Sequence, residues 1–401
     1  MSRPGFFRLS IGTAIVALLS ADAAVAQTVP AGPLIVGEGR LVLGADAAVS
    51  VAPVDEGFFN YSDYEQTTLR QFRIGMTALV RLSDRVSVLG ELRSGNFDYI
   101  TPFALYARIR PFRDRPFDIQ VGRIPPAFGS FARRTYGHDN PLIGAPLSYQ
   151  YLTSLRADSV PADADELLRM RGRGWLSNFS IGNQLPHHGV PLVSGFAWDT
   201  GVQVSGGWKM LSATVAVSNG TASNPRVSDD NSGKQIAMRA TATPVTGLVI
   251  GGSISRGEFL DRRVSAAFAD DDYDQRAAEI DVEYSRDHWV ARAETVVSEW
   301  TIPIGTAGPT DLRSVGTAVE GRYAFAPGWY GAARVEHLGF SRLMTATEPA
   351  PWEAPLTRVE VGGGYYVQRN LIAKSSLQFN RRDGGRVTSA QLLAVQLLYW
   401  F

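Results

Sequence analysis

The sequence predicts an all-β protein, a transmembrane antiparallel β-barrel of about 16 strands. Three observations support this fold class. Apolar residues alternate with polar or small residues over segments of roughly ten positions, short and long connections alternate between these segments, and the chain ends on the apolar stretch AVQLLYWF. Alternation with a period of two is typical of strands that have one apolar and one polar face.

The first 26 residues are predicted to be a signal peptide. Two arginines precede an apolar run over residues 11–19, and Ala-Val-Ala at 24–26 offers a small-residue cleavage site. The run is shorter than the roughly 20 apolar residues that a membrane-spanning helix needs. We therefore expect a barrel over residues 27–401.

The composition excludes several classes of protein. The chain has no cysteine, which rules out a disulfide framework, and its 39 basic and 39 acidic residues argue against a nucleic-acid partner. None of the five histidines lies in a metal-ligand or nucleophile motif. The sequence therefore predicts no metal, no cofactor and no enzymatic activity.

The alternating segments give sixteen candidate strands. They are expected at about 39–53, 67–83, 85–95, 100–111, 116–123, 197–209, 211–220, 233–243, 247–258, 275–286, 288–301, 312–326, 328–340, 356–368, 371–382 and 388–401. In the fourth, one face is expected to carry Phe103, Leu105, Ala107 and Ile109, and the other Tyr106, Arg108 and Arg110. A polar face this rich in charge suits a water-filled lumen.

The connections between these strands alternate in length. Tight turns are expected near 83–85, 244–247 and 326–328, whereas most intervening connections are long. An outer-membrane barrel has this organisation, and an even strand count places both termini on the short-turn side. A soluble β-sandwich also has alternating strands, but it rarely sustains ten-residue strands along a whole chain. Closure removes sheet edges and satisfies the backbone in lipid.

The eight tryptophans are expected to form two interfacial rings, since aromatic residues favour both membrane surfaces. Those at short-turn ends are Trp208, Trp289, Trp329 and Trp400, and those in or near long connections are Trp175, Trp198, Trp300 and Trp352.

The apolar C-terminus is explained by a lipid-facing last strand. One face of this strand carries Leu393, Val395, Leu397, Tyr399 and Phe401. The segment resembles the C-terminal strand of bacterial outer-membrane proteins, whose terminal aromatic residue is read by the barrel assembly machinery. This resemblance implies that Tyr399 and Phe401 form an assembly signal and that the assembly machinery is a partner.

The longest connection, about residues 124–196, follows the fifth predicted strand. Sixteen strands enclose an aqueous channel, and a connection of this length inside a compact domain is usually functional. The chain therefore resembles the sixteen-stranded porins, whose longest loop also follows strand five, folds inward and narrows the channel. The resemblance implies an inward-folded third extracellular loop and a homotrimer.

Charged residues in and near this connection are candidates for the pore constriction. Asp163, Asp165 and Glu166 are expected near the N-terminus of a short helix, where acids are favoured. The basic candidates are Arg169, Arg171 and Arg173, which alternate along RMRGRG, with Arg133 and Arg134 earlier in the connection and Arg108 and Arg110 on the fourth strand. Opposed groups of this kind would set a transverse field; the alternative is a solvated loop with paired charges.

The segment VGRIPPAFGSFARR at 121–134 resembles the phosphate-selective porin O and P group. The matching residues are Gly122, Arg123, Pro125, Pro126 and Phe128. That group has excess positive charge in its lumen, whereas the inward positions predicted here carry twelve basic and ten acidic residues. Phosphate selectivity therefore does not follow from the sequence.

The predicted function is passive diffusion of small hydrophilic solutes or ions across the bacterial outer membrane, with outer-membrane lipid as the surrounding partner. One alternative is a porin selective for phosphate, other anions or sugars. Less favoured alternatives are an adhesin or a barrel enzyme that uses His187 and His188. The chain is too short for a 22-stranded transporter with a plug.

Overall fold

The fold is that of a computed structural model, which describes residues 30, 32–62, 66–132, 134–228, 233–268, 273–305, 308–344 and 348–401. The predicted signal peptide and Arg133 lie outside the described residues.

Sixteen antiparallel strands form the wall. They are β1 (Leu41–Val51), β2 (Gln71–Arg81), β3 (Val86–Gly95), β4 (Thr101–Ile109), β5 (Phe117–Ile124), β6 (Asp199–Trp208), β7 (Leu211–Ser218), β8 (Gln235–Val245), β9 (Leu248–Glu258), β10 (Asp274–Arg286), β11 (Trp289–Pro303), β12 (Pro309–Ala326), β13 (Trp329–Phe340), β14 (Leu356–Gln368), β15 (Leu371–Arg382) and β16 (Ser389–Trp400). Each pairs with its neighbours in sequence, and β1 pairs with β16 through Asp46 opposite Trp400 to Val51 opposite Val395. The sheet is therefore closed, and the predicted fold class is confirmed.

The two ends of the barrel differ in their connections. At the end called here the short-turn end, the strands are joined by residues 82–85, 110–116, 209–210, 246–247, 287–288, 327–328 and 369–370. At the opposite, long-loop end they are joined by residues 52–70, 96–100, 125–198, 219–234, 259–273, 304–308, 341–355 and 383–388. A short strand, Leu34–Val36, pairs with the start of β1 and covers it where β16 has ended.

The wall has an apolar outer face and a polar inner face. On β13, Val335 is 53% exposed, whereas its neighbours Arg334 and Glu336 are buried. On β16, Leu393, Val395 and Leu397 are exposed, as the predicted lipid-facing set requires. Alternation of this kind places charged side chains in the lumen and apolar ones against lipid.

Only part of the predicted aromatic pattern is present. Trp208, Trp289 and Trp329 are exposed at the short-turn end, and the last two stack on Tyr323 and Tyr365 of the neighbouring strands at 4.3 and 4.4 Å. The prediction of a second ring was wrong. At the long-loop end Trp198, Trp300 and Trp352 are buried and Trp175 stacks on Phe58. At the short-turn end Trp400 faces the lumen and stacks on His138.

One predicted strand face was also wrong. A register irregularity between β3 and β4 separates the pair Glu91 and Ala104 from the pair Leu92 and Pro102. Such a bulge changes the side on which the following residue lies. As a result Phe103 is buried beneath Arg93 and does not share the exposed face of Leu105.

The main apolar core lies between the third long connection and the wall. It joins Phe131, Tyr149 and Leu192 of the connection to Val296 and Leu338 of the wall. Three short helices occur among the described residues: α1 (Leu147–Gln150), α2 (Ala164–Arg169) and α3 (Arg262–Ser265). Two small two-stranded antiparallel sheets are also present. One pairs Ser159–Val160 with Ile181–Gly182, and the other pairs Arg342–Met344 with Pro349–Pro351.

No helix within the described ranges is long and apolar enough to cross a membrane.

Candidate functional site

The third long connection, residues 125–198, contacts the polar face of the wall. Backbone N–H groups of Gly144 and Leu147 donate to the carboxylates of Glu360 and Glu336 at 3.0 and 2.7 Å. The Tyr149 hydroxyl donates to Glu294 at 2.5 Å. These carboxylates are buried, and charge-assisted hydrogen bonds of this type compensate for the water they have lost.

Basic wall residues bind backbone carbonyl groups of the same connection. Arg334 donates to the carbonyl of Gly144 at 2.7 Å, Arg358 to that of Ala145 at 3.3 Å, and Lys374 to that of Asn140 at 2.6 Å. Because the connection offers both backbone N–H donors and C=O acceptors, it can form hydrogen bonds with wall groups of either charge. Residues 137–149 are thereby held against β11–β15.

Arg334 is an almost fully buried cation at the centre of this contact. It is 1% exposed and forms ion pairs with Glu320, Glu336 and Glu360 at 3.0, 3.1 and 2.8 Å. Removing one partner of such a buried cluster leaves charges without compensation, which is far more costly than losing a surface pair.

Burial keeps the hydroxyl groups of Tyr149 and Tyr136 protonated. Burial raises the pKa of Tyr149, and the adjacent Glu294 carboxylate raises it further. Burial likewise raises the pKa of Tyr136, whose hydroxyl donates to Glu91 at 2.7 Å. Both hydroxyls therefore remain hydrogen-bond donors to carboxylates at neutral pH.

A cavity that is open to solvent, here called the outer cavity, lies between the connection and strands β1–β4 and β16. Its wall side includes Arg73, Arg93 and Gln396, and its loop side includes Phe131 and Arg134. Ser62, Gln66 and Thr68, together with residues of the segment 94–101, place it toward the long-loop end. The connection has thus left this side of the lumen open.

Arg93 is oriented by contacts on two sides. Its guanidinium lies 3.3 Å from the centre of the Phe103 ring, and its Nε donates to Glu91 at 2.5 Å. Its Nη2 atom is buried and has no hydrogen-bond partner within the described part of the chain. The guanidinium is therefore fixed in place on the wall of the outer cavity.

A second cavity, also open to solvent and here called the inner cavity, lies toward the short-turn end beside β10–β13. It is lined by Asp139, Glu283, Arg292 and Glu294, among others. Arg134 lines both cavities and pairs with Glu320 at 3.2 Å. Arg134 is therefore the residue of the connection that borders both spaces.

The predicted acidic candidates have local structural contacts. Asp163 caps α2 by accepting the N–H of Glu166 at 2.7 Å. Glu166 accepts the N–H of Ala162 at 2.5 Å and the hydroxyl of Ser180 at 2.6 Å. Asp165 is exposed in the first turn.

The predicted basic candidates lie at opposite ends of the barrel. Arg169 and Arg173 are exposed, and Arg171 donates to the carbonyl of Asp383 in a long-loop connection at 3.2 Å. Near the short-turn end, Arg108 and Arg110 both bind Asp118 of β5, through Nε atoms at 2.9 and 2.8 Å. The structure does not bring these two groups together; of the predicted arginines, Arg134 lines both cavities.

Sequence reasoning missed several groups. Asp46 holds Arg73 at 3.3 Å, and Phe103 supports Arg93. Asp46 lies on the inward face of β1, an alternation signal that could have identified it. Phe103 had no such signal, because a bulge reversed its face.

The histidines suggested for a hydrolase lie side by side. The rings of His187 and His188 are 4.2 Å apart, and their Nδ1 atoms contact the carbonyl groups of His188 and Gly189. Within the described ranges, no group of three or more His, Asp or Glu residues is placed to hold a metal ion.

The fold is similar to solved bacterial outer-membrane proteins. The trimer form of OmpT, an outer-membrane protein of Vibrio cholerae, is 11% identical with a TM-score of 0.52, over 90% of this chain and 99% of that one. Salmonella typhi OmpF in complex with daunomycin is 12% identical with a TM-score of 0.55, over 90% of this chain and 97% of that one. An anion-selective porin from Comamonas acidovorans is 8% identical with a TM-score of 0.53, over 90% of this chain and 99% of that one.

Identities this low show the fold alone. No protein-family model matches the sequence, and no curated protein matches it. The porin-like fold and the outward apolar face support the location in the bacterial outer membrane that the sequence predicts.

Proposed function

We propose that the protein is an outer-membrane porin through which small hydrophilic solutes and ions diffuse passively. One observation carries this proposal: two solvent-open cavities with charged linings occupy the lumen toward its two ends and share Arg134. In this proposal residues 125–198 are the inward-folded loop that narrows the channel, and Arg134 with Glu294 and Glu320 lies at the constriction.

Planar bilayer recording tests the proposal. Purified, refolded protein is expected to produce stepwise conductance increases that are ohmic in 1 M KCl. A folded barrel that inserts but gives no steps would contradict the porin function and favour the adhesin or enzyme alternatives.

Selectivity for anions, phosphate included, is a second candidate, favoured by the outer cavity. Its charged lining consists of Arg73, Arg93, Arg134 and a single acid, Asp98. The likeness to an anion-selective porin is consistent with this candidate. A reversal potential under a KCl gradient that shows chloride preference would support it, and competition by phosphate would distinguish phosphate from anions in general.

The C-terminal aromatic residues are proposed to be an assembly signal. The backbone of Phe401 exchanges two hydrogen bonds with Ala45, at 2.9 and 3.1 Å, and so takes part in closing the barrel. Phe401→Ser keeps these backbone bonds. We expect this variant to refold in detergent like the parent but to reach the outer membrane of cells in lower amount; equal amounts would contradict the signal.

A homotrimer is also proposed, supported by the likeness to a trimeric OmpT structure. Its mass in detergent, measured by light scattering with correction for bound detergent, is expected to be three times that of one chain. A mass of one chain would contradict the trimer and leave the channel function in place.

A further inference from the structure

We propose that the fixed charge along the channel changes sign at Arg134, so that the open channel rectifies ionic current at low salt. The inference rests on the proposed function, because only a conducting channel can rectify. It concerns how the lumen groups are distributed along the barrel axis.

The two cavities differ in the sign of their charged linings. The outer cavity has three arginines, Arg73, Arg93 and Arg134, against the single acid Asp98. The inner cavity has five carboxylates against three arginines: Asp139, Asp281, Glu283, Glu294 and Glu320 against Arg134, Arg292 and Arg334. Chloride is therefore expected to be enriched on the long-loop side of Arg134 and potassium on the short-turn side.

Ion pairing on β1–β3 preserves this polarity. Asp46 lies opposite Gly75, which is nearer the short-turn end than its partner Arg73. Glu91 likewise lies nearer that end than its partner Arg93 on the same strand. Each pair is thus a dipole along the barrel axis, with its positive end toward the outer cavity. Although each ion pair has no net charge, its orientation therefore preserves the difference in charge between the two ends of the lumen.

A channel with oppositely charged halves conducts better in one direction. When the long-loop side is negative, chloride enters through the basic half and potassium through the acidic half, and both accumulate where the halves meet. The reverse voltage depletes both ions from that region. The larger current is expected with the long-loop side negative.

Screening gives the salt dependence of the effect. The Debye length is about 10 Å at 0.1 M salt and about 3 Å at 1 M, so fixed charges in the lumen act over a longer distance at the lower concentration. The ratio of currents at equal and opposite voltages should therefore exceed one in 0.1 M KCl and approach one in 1 M KCl. The groups at the channel mouths, such as Arg110 beside Asp118, are open to bulk electrolyte and contribute less.

Three chemically equivalent substitutions test the proposal. Asp139→Asn removes an inner carboxylate that is 46% exposed and should lower the current ratio toward one. Asp98→Asn removes the single acid of the outer cavity and should raise the ratio. Asp84→Asn is the control, because Asp84 is 82% exposed in a short turn and lines neither cavity. It should leave the ratio unchanged.

Channel orientation can be assigned independently. The chain has no cysteine, so Leu185→Cys at an exposed position of residues 125–198 can be labelled uniquely with biotin. Streptavidin should then reduce the current only when it is added to the compartment that faces the long-loop end.

The outcomes separate this inference from the proposed function. Stepwise conductance with a symmetric current in 0.1 M KCl would overturn the axial polarity and leave the porin function intact. Shifts of the same sign for Asp139→Asn and Asp98→Asn would also overturn it. Absence of any conductance would instead contradict the porin function.

Discussion

The two sides of the lumen show how similar wall patterns lead to different environments. On β11–β15, Arg334, Arg358 and Glu360 are at most 1% exposed because residues 125–198 lie against them. On β2 and β3, Arg73 and Arg93 are paired with wall carboxylates and line the outer cavity. Wall charges are therefore covered by the loop on one side, whereas on the other they contact it through Thr135 and Tyr136 and also line an open cavity.

The largest expected effect is the loss of Arg334 from the packed side. Arg334→Met leaves Glu320, Glu336 and Glu360 buried without their shared cation, which should cost about 3–5 kcal/mol of unfolding free energy. Arg73→Met, on the open side, removes a partly exposed pair and should cost clearly less. Denaturant titrations of both variants refolded in lipid measure the difference, and equal losses would contradict the distinction between the two sides.

Next in size is the effect of the open side on ion selectivity. Arg93→Gln should move the reversal potential under a KCl gradient toward cation preference, because this guanidinium lines the outer cavity. The triple variant Arg169→Gln, Arg171→Gln and Arg173→Gln should shift it less, since Arg169 and Arg173 are exposed and screened. A larger shift for the triple variant would place these arginines at the constriction.

A smaller effect concerns pH at the long-loop rim of the packed side. Glu353 is buried and accepts the N–H of Ser154 at 2.8 Å, and burial raises its pKa above 4.5. The folded state therefore takes up a proton more readily than the unfolded state. The resulting stability is present below pH 4.5 and is lost as the pH rises through the raised pKa.

Glu353→Gln should remove this part of the pH dependence. Unfolding free energies at pH 4 and pH 7 should then differ less than in the parent, whereas Asp287→Asn, at a position 80% exposed in a turn, should behave like the parent. An unchanged pH dependence in the Glu353 variant would contradict the assignment.

The smallest expected effect is the loss of unfolding free energy when the N-terminal cap of α2 is removed. Asp163→Ala should cost about 1 kcal/mol by removing the bond to the N–H of Glu166, while Asp165→Ala should cost less. Both should leave conductance and selectivity unchanged if these acids serve the loop alone. A change in ion selectivity would instead support the prediction that Asp163 and Asp165 lie at the constriction.

The wall could be predicted almost completely from the sequence. All sixteen strands lie within a few residues of their expected positions, because the lipid face and the lumen face impose a period of two that is visible locally. The exceptions also have physical causes. Phe103 changed face at a bulge, and Trp300 and Trp352 joined the core beneath the connections rather than an interfacial ring.

The candidate site was predictable only in part. The sequence predicted a constriction loop at about 124–196 and favoured Arg108, Arg110 and the RMRGRG arginines for its basic side, with Arg133 and Arg134 as additional candidates. Arg134 reaches Glu320, 186 positions away in the chain, and Gly144 reaches Glu360 across 216 positions. No local pattern encodes contacts of that range.

The sequence by itself determined a closed wall with a polar interior, because alternation along each strand settles which side chains meet lipid and which meet the lumen. Only the tertiary structure decided which part of that interior is filled and which stays open. The path of residues 125–198 depends on long-range pairing of backbone N–H and C=O groups with buried wall charges. That pairing leaves the outer and inner cavities open and places Arg134 at the border of both.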